Sequence, residues 1–285
     1  MSEVKINYYP DYKYVELKTG IRMSYVELGD TRGQVIILLH GAIDSYIGFS
    51  QVGAYLANYG YHVYIPELRG HGRTDKPEGI YTVELLTDDI YSFMVELGID
   101  KAHIVGHSMG SMIAQCLYLG HPECVYALSL LSTAATALNN PKTVRLLDGD
   151  EELPGLRDMK EMSEEYMRWD LTYTNFDPAF QEAVYDTARQ MPVHAWRNMY
   201  EGLIRFDNRS KLENIVCPVQ IIWGSDDDFF DRETQDYVLT HLGSEFIVFQ
   251  IKEGCTHDLH CSGTMGKTIA ANISQFVEVV AVYQK

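Results

Sequence analysis

Residues 104–112 read IVGHSMGSM, and the fold turns on how this stretch is read. An apolar run, HIVG at 103–106, has the pattern of a buried strand, and the next segment, SMGSMIAQCLYLG at 108–120, has the pattern of a helix. Between them stands one alcohol, Ser108, flanked by Gly106 and Gly110. Glycines at those places permit a turn too tight for a side chain to tolerate. The hydroxyl would then be exposed at a helix N-terminus, where free backbone N–H groups and the helix dipole favour negative charge. An oxyanion needs that environment. The pattern Gly-x-Ser-x-Gly alone also suits a structural tight turn, and the strand–turn–helix setting is what points to a nucleophile.

Outward from this turn, apolar runs alternate with helical patterns, as in a largely parallel sheet with helices on both faces. Residues 13–18 and 21–28 predict an opening hairpin around Thr19-Gly20. Strands are expected at 35–39, 62–66, 103–106, 125–133, 218–224 and 245–251, and helices at 48–60, about 82–97, 108–120 and 265–283. Between about 134 and 214 the alternation stops and the pattern is helical throughout, with acidic stretches and an aromatic-rich second half. The expected organisation is a core of residues 1–133 and 215–285 carrying a helical insertion at 134–214.

The chain has 285 residues and a formal net charge of −17, which would repel phosphate backbones and anionic lipid. Nucleic acid and membrane surfaces are therefore not expected partners. The five cysteines are irregularly spaced without a CxxC pair, so reduced thiols are expected. No run approaches the roughly 18 apolar residues of a membrane span, and no basic start precedes an apolar stretch, which suits a cytoplasmic protein. No cofactor is implied. The histidines at 103, 107, 121, 194 and 241 show no metal-ligand spacing, so no metal is expected. Oligomeric state is not legible in the sequence.

A serine needs a base to take its proton, and the base needs a third group to orient it. The strand at 218–224 runs into GSDDD, three acids at the C-terminal edge where open parallel sheets present their sites. The strand at 245–251 is followed by KEGCTHDLH, with His257 and His260. Spacing alone leaves Asp226, Asp227 and Asp228 open.

These residues resemble the α/β-hydrolase fold family over nearly the whole chain. The carriers are Gly106-His107-Ser108-Met109-Gly110, His40-Gly41 after VIILL, the ELRGHGRTDKP stretch at 67–77, and the late acid and histidine loops. The resemblance implies Ser108 as nucleophile, Asp227, three beyond Gly224, as acid, and His257 as base. It also implies the backbone N–H groups of Ala42 and Met109 as an oxyanion hole. No acid ends the strand at 125–133, where some members place theirs. Thr256, Glu67 and Thr74 depart from the family's usual Gly, Asp and Ser.

His40, Arg69, His71 and Arg73 are expected to hold loops, and His260 to be a helix-start or surface residue. Asp44 is a candidate substrate contact for a hydroxylated or cationic group. Within the insertion Trp169, Tyr173, Phe176, Met191, Trp196, Met199 and Tyr200 are candidates for an apolar pocket, Trp169 and Trp196 foremost, though most should pack the insertion onto the core. Because the nucleophile is Ser rather than Asp, the resemblance disfavours the haloalkane dehalogenase and epoxide hydrolase branches. It implies hydrolysis of a small or medium, partly apolar ester or lactone. A thioesterase, a carbon–carbon bond hydrolase, whose histidine is usually followed by an aromatic residue where this chain has Asp258, and a ligand-binding receptor are the rivals.

Overall fold

The computed structural model describes residues 4–171, 177–261 and 264–283. Eight strands form one sheet: β1 (Lys13–Glu16), β2 (Arg22–Gly29), β3 (Val35–Leu39), β4 (His62–Pro66), β5 (Ala102–His107), β6 (Val125–Leu131), β7 (Val219–Gly224) and β8 (Ile247–Lys252). Their spatial order is β1-β2-β4-β3-β5-β6-β7-β8. β2 pairs antiparallel with both neighbours, and every later pairing is parallel. Every residue of β4, β5 and β7 is buried, as expected for strands covered by helices on both sheet faces.

The covering helices are α1 (Tyr46–Asn58), α2 (Val83–Glu96), α3 (Met109–Gly120), α8 (Arg232–His241) and α9 (Met265–Tyr283). α1 packs with α9, and α2 with α3. Helix α8 departs from the sequence reading, which passed from β7 to β8 without a helix. Only Gln235 and Val238 of α8 are buried, so it shows little apolar period to detect. Its start is nonetheless written chemically: Asp231 accepts from the amide of Thr234 as N-cap.

Between β6 and β7 the chain forms α4 (Pro141–Asp148), α5 (Glu164–Asp170), α6 (Pro178–Ala188) and α7 (Val193–Leu203). The two ends of this segment meet in an antiparallel bridge between Thr136 and Asp207. The parallel register aligns Leu39 with Gly106, Gly106 with Leu130, and Leu131 with Ile222, so the C-terminal ends of β3, β5, β6 and β7 share one edge. The loops that leave this edge carry the residues of interest.

Candidate active site

Ser108 occupies a turn that only its neighbours make feasible. Its φ of 50° is in the region most residues avoid, and its ψ is −117°. A Cβ on Gly106 would stand 2.2 Å from the carbonyl oxygen of Gly110, and one on Gly110 would stand 2.0 Å from that of Leu39. The glycines are thus required by close backbone approach. The Ser108 amide donates to the Leu131 carbonyl at 3.0 Å, tying the turn to β6.

Ser108 Oγ lies 2.9 Å from His257 Nε2. On the other side of the ring, His257 Nδ1 lies 2.9 and 3.0 Å from the two carboxylate oxygens of Asp227. Asp227 also accepts from the amides of Phe229 and Phe230 at 2.9 and 3.0 Å, and both phenyl rings pack against His257. The other acids of the run are exposed: Asp226 accepts from Ser225 Oγ, and Asp228 pairs with Lys142. Of the alternatives left open by spacing, the structure brings Asp227 and His257 to Ser108.

Burial pulls the His257 pKa down, but the Asp227 carboxylate at its Nδ1 more than reverses this, leaving it above the usual histidine value. In Asp227 the order is similar: burial pushes the carboxyl up, and the charge and hydrogen bond of His257 with the two Phe amides hold it below the usual range. The His257 backbone is held as firmly as its ring. Its carbonyl accepts from His107 Nε2 at 3.0 Å and from Ser132 Oγ at 2.9 Å. Burial keeps His107 far below the ordinary histidine pKa, so it is neutral and can be a fixed donor.

Beside Ser108 are the amides of Ala42 and Met109, neither of which donates to an acceptor among the described residues. Met109 opens α3, and its N–H is one of the unsatisfied donors of a first helical turn. The loop carrying Ala42 is fixed by two neutral imidazoles. His71 Nε2 accepts from the amide of Ile43, itself at φ 57°, and His40 Nε2 accepts from Leu68. Arg69 clamps buried Asp89 through both its Nε and one terminal nitrogen at 2.7 Å, and the Arg73 guanidinium covers the Tyr12 ring. The departures Glu67 and Thr74 form a local set. Glu67 accepts from Ser24 Oγ and the Arg73 amide, while Thr74 donates to the Glu67 carbonyl and accepts from the Ser24 amide.

Above Ser108 is a cavity of about 80 Å³, lined from the sheet edge by Ala42, Ile43, Phe229 and His257 and from the insertion by Tyr200 and Leu203. Asp258, whose side chain keeps a third of its surface exposed, is also at the wall. Three sequence-based expectations are corrected here. Trp196 does not line the cavity; it is fully buried within the insertion, edge-to-face with Tyr166. Asp44 does not line it either, because its Oδ1 accepts from the amides of Ser45 and Gly48 at the start of α1. His260 is no surface residue but fully buried against His107 and Phe49. Met191 and Met199 are buried in packing, whereas Tyr200 reaches the cavity. The Trp169 side chain, Tyr173 and Phe176 lie outside the described residues. Sequence reasoning passed over His107, Phe229 and Phe230; the last two were signalled only by following the acid run directly.

The family model described as serine aminopeptidase, S33, matches residues 30–262. The Bacillus subtilis AB hydrolase superfamily protein YfhM is 28% identical over 249 residues, covering 81% of this chain and 86% of that protein. The rat bifunctional epoxide hydrolase 2 is 34% identical over 122 residues, a match covering 42% of this chain and 22% of the enzyme. Among solved structures, the enol-lactonase from Burkholderia xenovorans LB400 superposes with a TM-score of 0.75 at 18% identity, covering 93% of this chain and all of that one, a likeness of fold. The chain belongs to the serine aminopeptidase S33 family of α/β-hydrolases.

Proposed function

We propose that the protein is a serine hydrolase of small carboxylic esters or lactones, with Ser108 as nucleophile, His257 as general base and Asp227 as its orienting acid. The observation that carries this reading is the hydrogen-bonded chain from Ser108 Oγ through both His257 nitrogens to Asp227, with every contact between 2.9 and 3.0 Å. In the reaction His257 Nε2 takes the Ser108 proton as Oγ attacks the carbonyl carbon. The amides of Ala42 and Met109 receive the negative oxygen, and the imidazolium gives its proton to the leaving group. Water, deprotonated by the same imidazole, then releases the acyl group from Ser108.

The epoxide hydrolase relatives raise the question of ring opening. Attack on an epoxide by a serine oxygen would leave an ether, which has no carbonyl carbon for water to attack, so turnover would stop. An acyl-serine carries that carbon. Asp258 at the cavity wall favours a second reading, cleavage of an aminoacyl arylamide whose cationic amine it would face. We also assign residues 134–214 the role of a cap over the cavity and the protein a cytoplasmic location. Both are supported by the insertion's lining residues, by free thiols at all five cysteines, and by the lack, among the described residues, of a helix long and apolar enough to cross a membrane.

Labelling with a fluorophosphonate followed by peptide mapping tests the nucleophile, and a panel of short esters, lactones, thioesters and aminoacyl arylamides tests the class. Label on the peptide containing Ser108 is expected. Ser108→Ala is expected to keep its fold and to lose about 10⁴- to 10⁶-fold in turnover; near-parental hydrolysis of a p-nitrophenyl ester by that variant would refute the reading.

A further inference from the structure

Where the loop that carries His257 meets the loop before α1, three side chains that the reaction does not use converge. Asp44 comes from the loop between β3 and α1, and His260 and Cys261 from the loop after β8. His260 is fully buried, Cys261 is 2% exposed, and the Asp44 side chain retains 10% of its surface. Cys261 Sγ lies 3.3 Å from His260 Nε2, the same nitrogen lies 3.9 Å from Asp44 Oδ2, and all three donor atoms are within 4.8 Å of one another. The Oδ1 of Asp44 is engaged by two backbone amides, so Oδ2 is the oxygen turned toward the imidazole. In a tetrahedral zinc site, with Zn–S about 2.3 Å and Zn–N or Zn–O about 2.0–2.2 Å, adjacent donors stand about 3.3–3.7 Å apart. The sulfur–nitrogen spacing already falls in this range, while the carboxylate oxygen must approach the other two donors and the Cys261 thiol must leave the Gly48 carbonyl, 3.5 Å away.

We propose that Asp44, His260 and Cys261 form a divalent-cation site suited to Zn²⁺, with water in the fourth position. Mixed sulfur, nitrogen and oxygen donors select zinc over magnesium or calcium, which take oxygen shells. On binding, the Cys261 S–H bond breaks, its proton passes to solvent and the thiolate gives an electron pair to the ion; no group changes oxidation state. None of the three residues lines the cavity, and the role is structural. The His260 ring lies 4.1 Å from that of His107, which donates to the His257 carbonyl. An ion there ties the loop bearing His257 to the start of α1, whatever bond Ser108 attacks.

The test uses tag-free, full-length protein stripped with a chelator and titrated with Zn²⁺ by calorimetry, then with Co²⁺ as a spectroscopic probe. One ion per chain is expected, and Co²⁺ should give a thiolate-to-metal charge-transfer band. Cys261→Ser should abolish the band and weaken Zn²⁺ binding by more than about 100-fold, beyond what loss of a mere outer-shell partner costs. Cys255→Ser and His257→Gln should change neither. If Cys261→Ser does not fold, Asp44→Asn replaces it, expected to weaken Zn²⁺ binding by a similar factor while keeping the band. Absence of stoichiometric binding by the parent, Co²⁺ binding without the thiolate band, survival of the band in Cys261→Ser, its loss in His257→Gln, or unchanged Zn²⁺ affinity in Asp44→Asn would each overturn the site.

Discussion

Asp226, Asp227 and Asp228 differ by one step along the chain and by almost everything else. Asp227 is buried with two backbone amides and an imidazole, while its neighbours face solvent. Asp227→Asn should therefore lower kcat by about 10⁴, since an amide orients His257 without stabilising its charge and can hold the wrong tautomer. Asp226→Asn and Asp228→Asn should stay within about twofold, as exposed substitutions do. The same contact sets a pH dependence. His257 must be neutral to act as base, and its pKa lies above the ordinary value, so kcat/KM should fall on acidification with a midpoint above about pH 6.5. In Asp227→Asn the residual activity should titrate at lower pH, because burial is then opposed only by the more distant carboxylates of Asp258 and Asp228. A pH profile with an unmoved midpoint would contradict this coupling. Spacing could not choose among the acids: the Phe229 and Phe230 amides are local, but burial and the contact with His257 arise only once β7 and β8 lie side by side. His107 is a further case. It reads as a filler between Gly106 and Ser108, yet its Nε2 supports the His257 carbonyl across the sheet edge.

At the scale of elements, the strand–turn–helix unit around Ser108 was legible because its requirements are local: an apolar strand, close-approach glycines and a helix start. Gly110→Ala places a methyl 2.0 Å from the Leu39 carbonyl, against backbone that cannot rotate away. We expect at least about 3 kcal/mol of destabilisation in urea titration, the upper end for overpacking. The loop joining β4 to α2 depends on a buried carboxylate, since Glu67 is fully buried and uses the Ser24 hydroxyl at 2.6 Å as a donor. Burial pushes the Glu67 carboxyl up, and Ser24→Ala should cost about 1–3 kcal/mol in the same assay, the range for leaving a buried acceptor without its donor. Not every element announces itself. Helix α8 buries only Gln235 and Val238, so its periodicity was invisible although its capping aspartate was in plain view.

Over the whole molecule, the insertion and the sheet edge together enclose a space of about 80 Å³, well below the roughly 300 Å³ at which drug-sized ligand pockets begin. Short acyl groups should be preferred: p-nitrophenyl acetate should be turned over with higher kcat/KM than the octanoate. Leu203→Ala, which removes bulk from the insertion's side of the wall, should shift that preference toward longer chains; a preference unchanged by the substitution would mean that the insertion does not bound the acyl site. The alternation of strands and helices, the helical stretch between β6 and β7 and the strand–turn–helix around Ser108 are readable in the chain alone, because strand and helix periods and tight turns are written within a few residues, while His257 stands out from His260 there only by resemblance. Asp227 is singled out in the sequence by resemblance alone, and its contact with His257, the inward packing of Trp196, the reach of Tyr200 to the cavity and the turn of Asp44 toward His260 and Cys261 come from the folded arrangement. Those choices depend on which surfaces are removed from water when distant segments pack, and no short window of sequence contains that information.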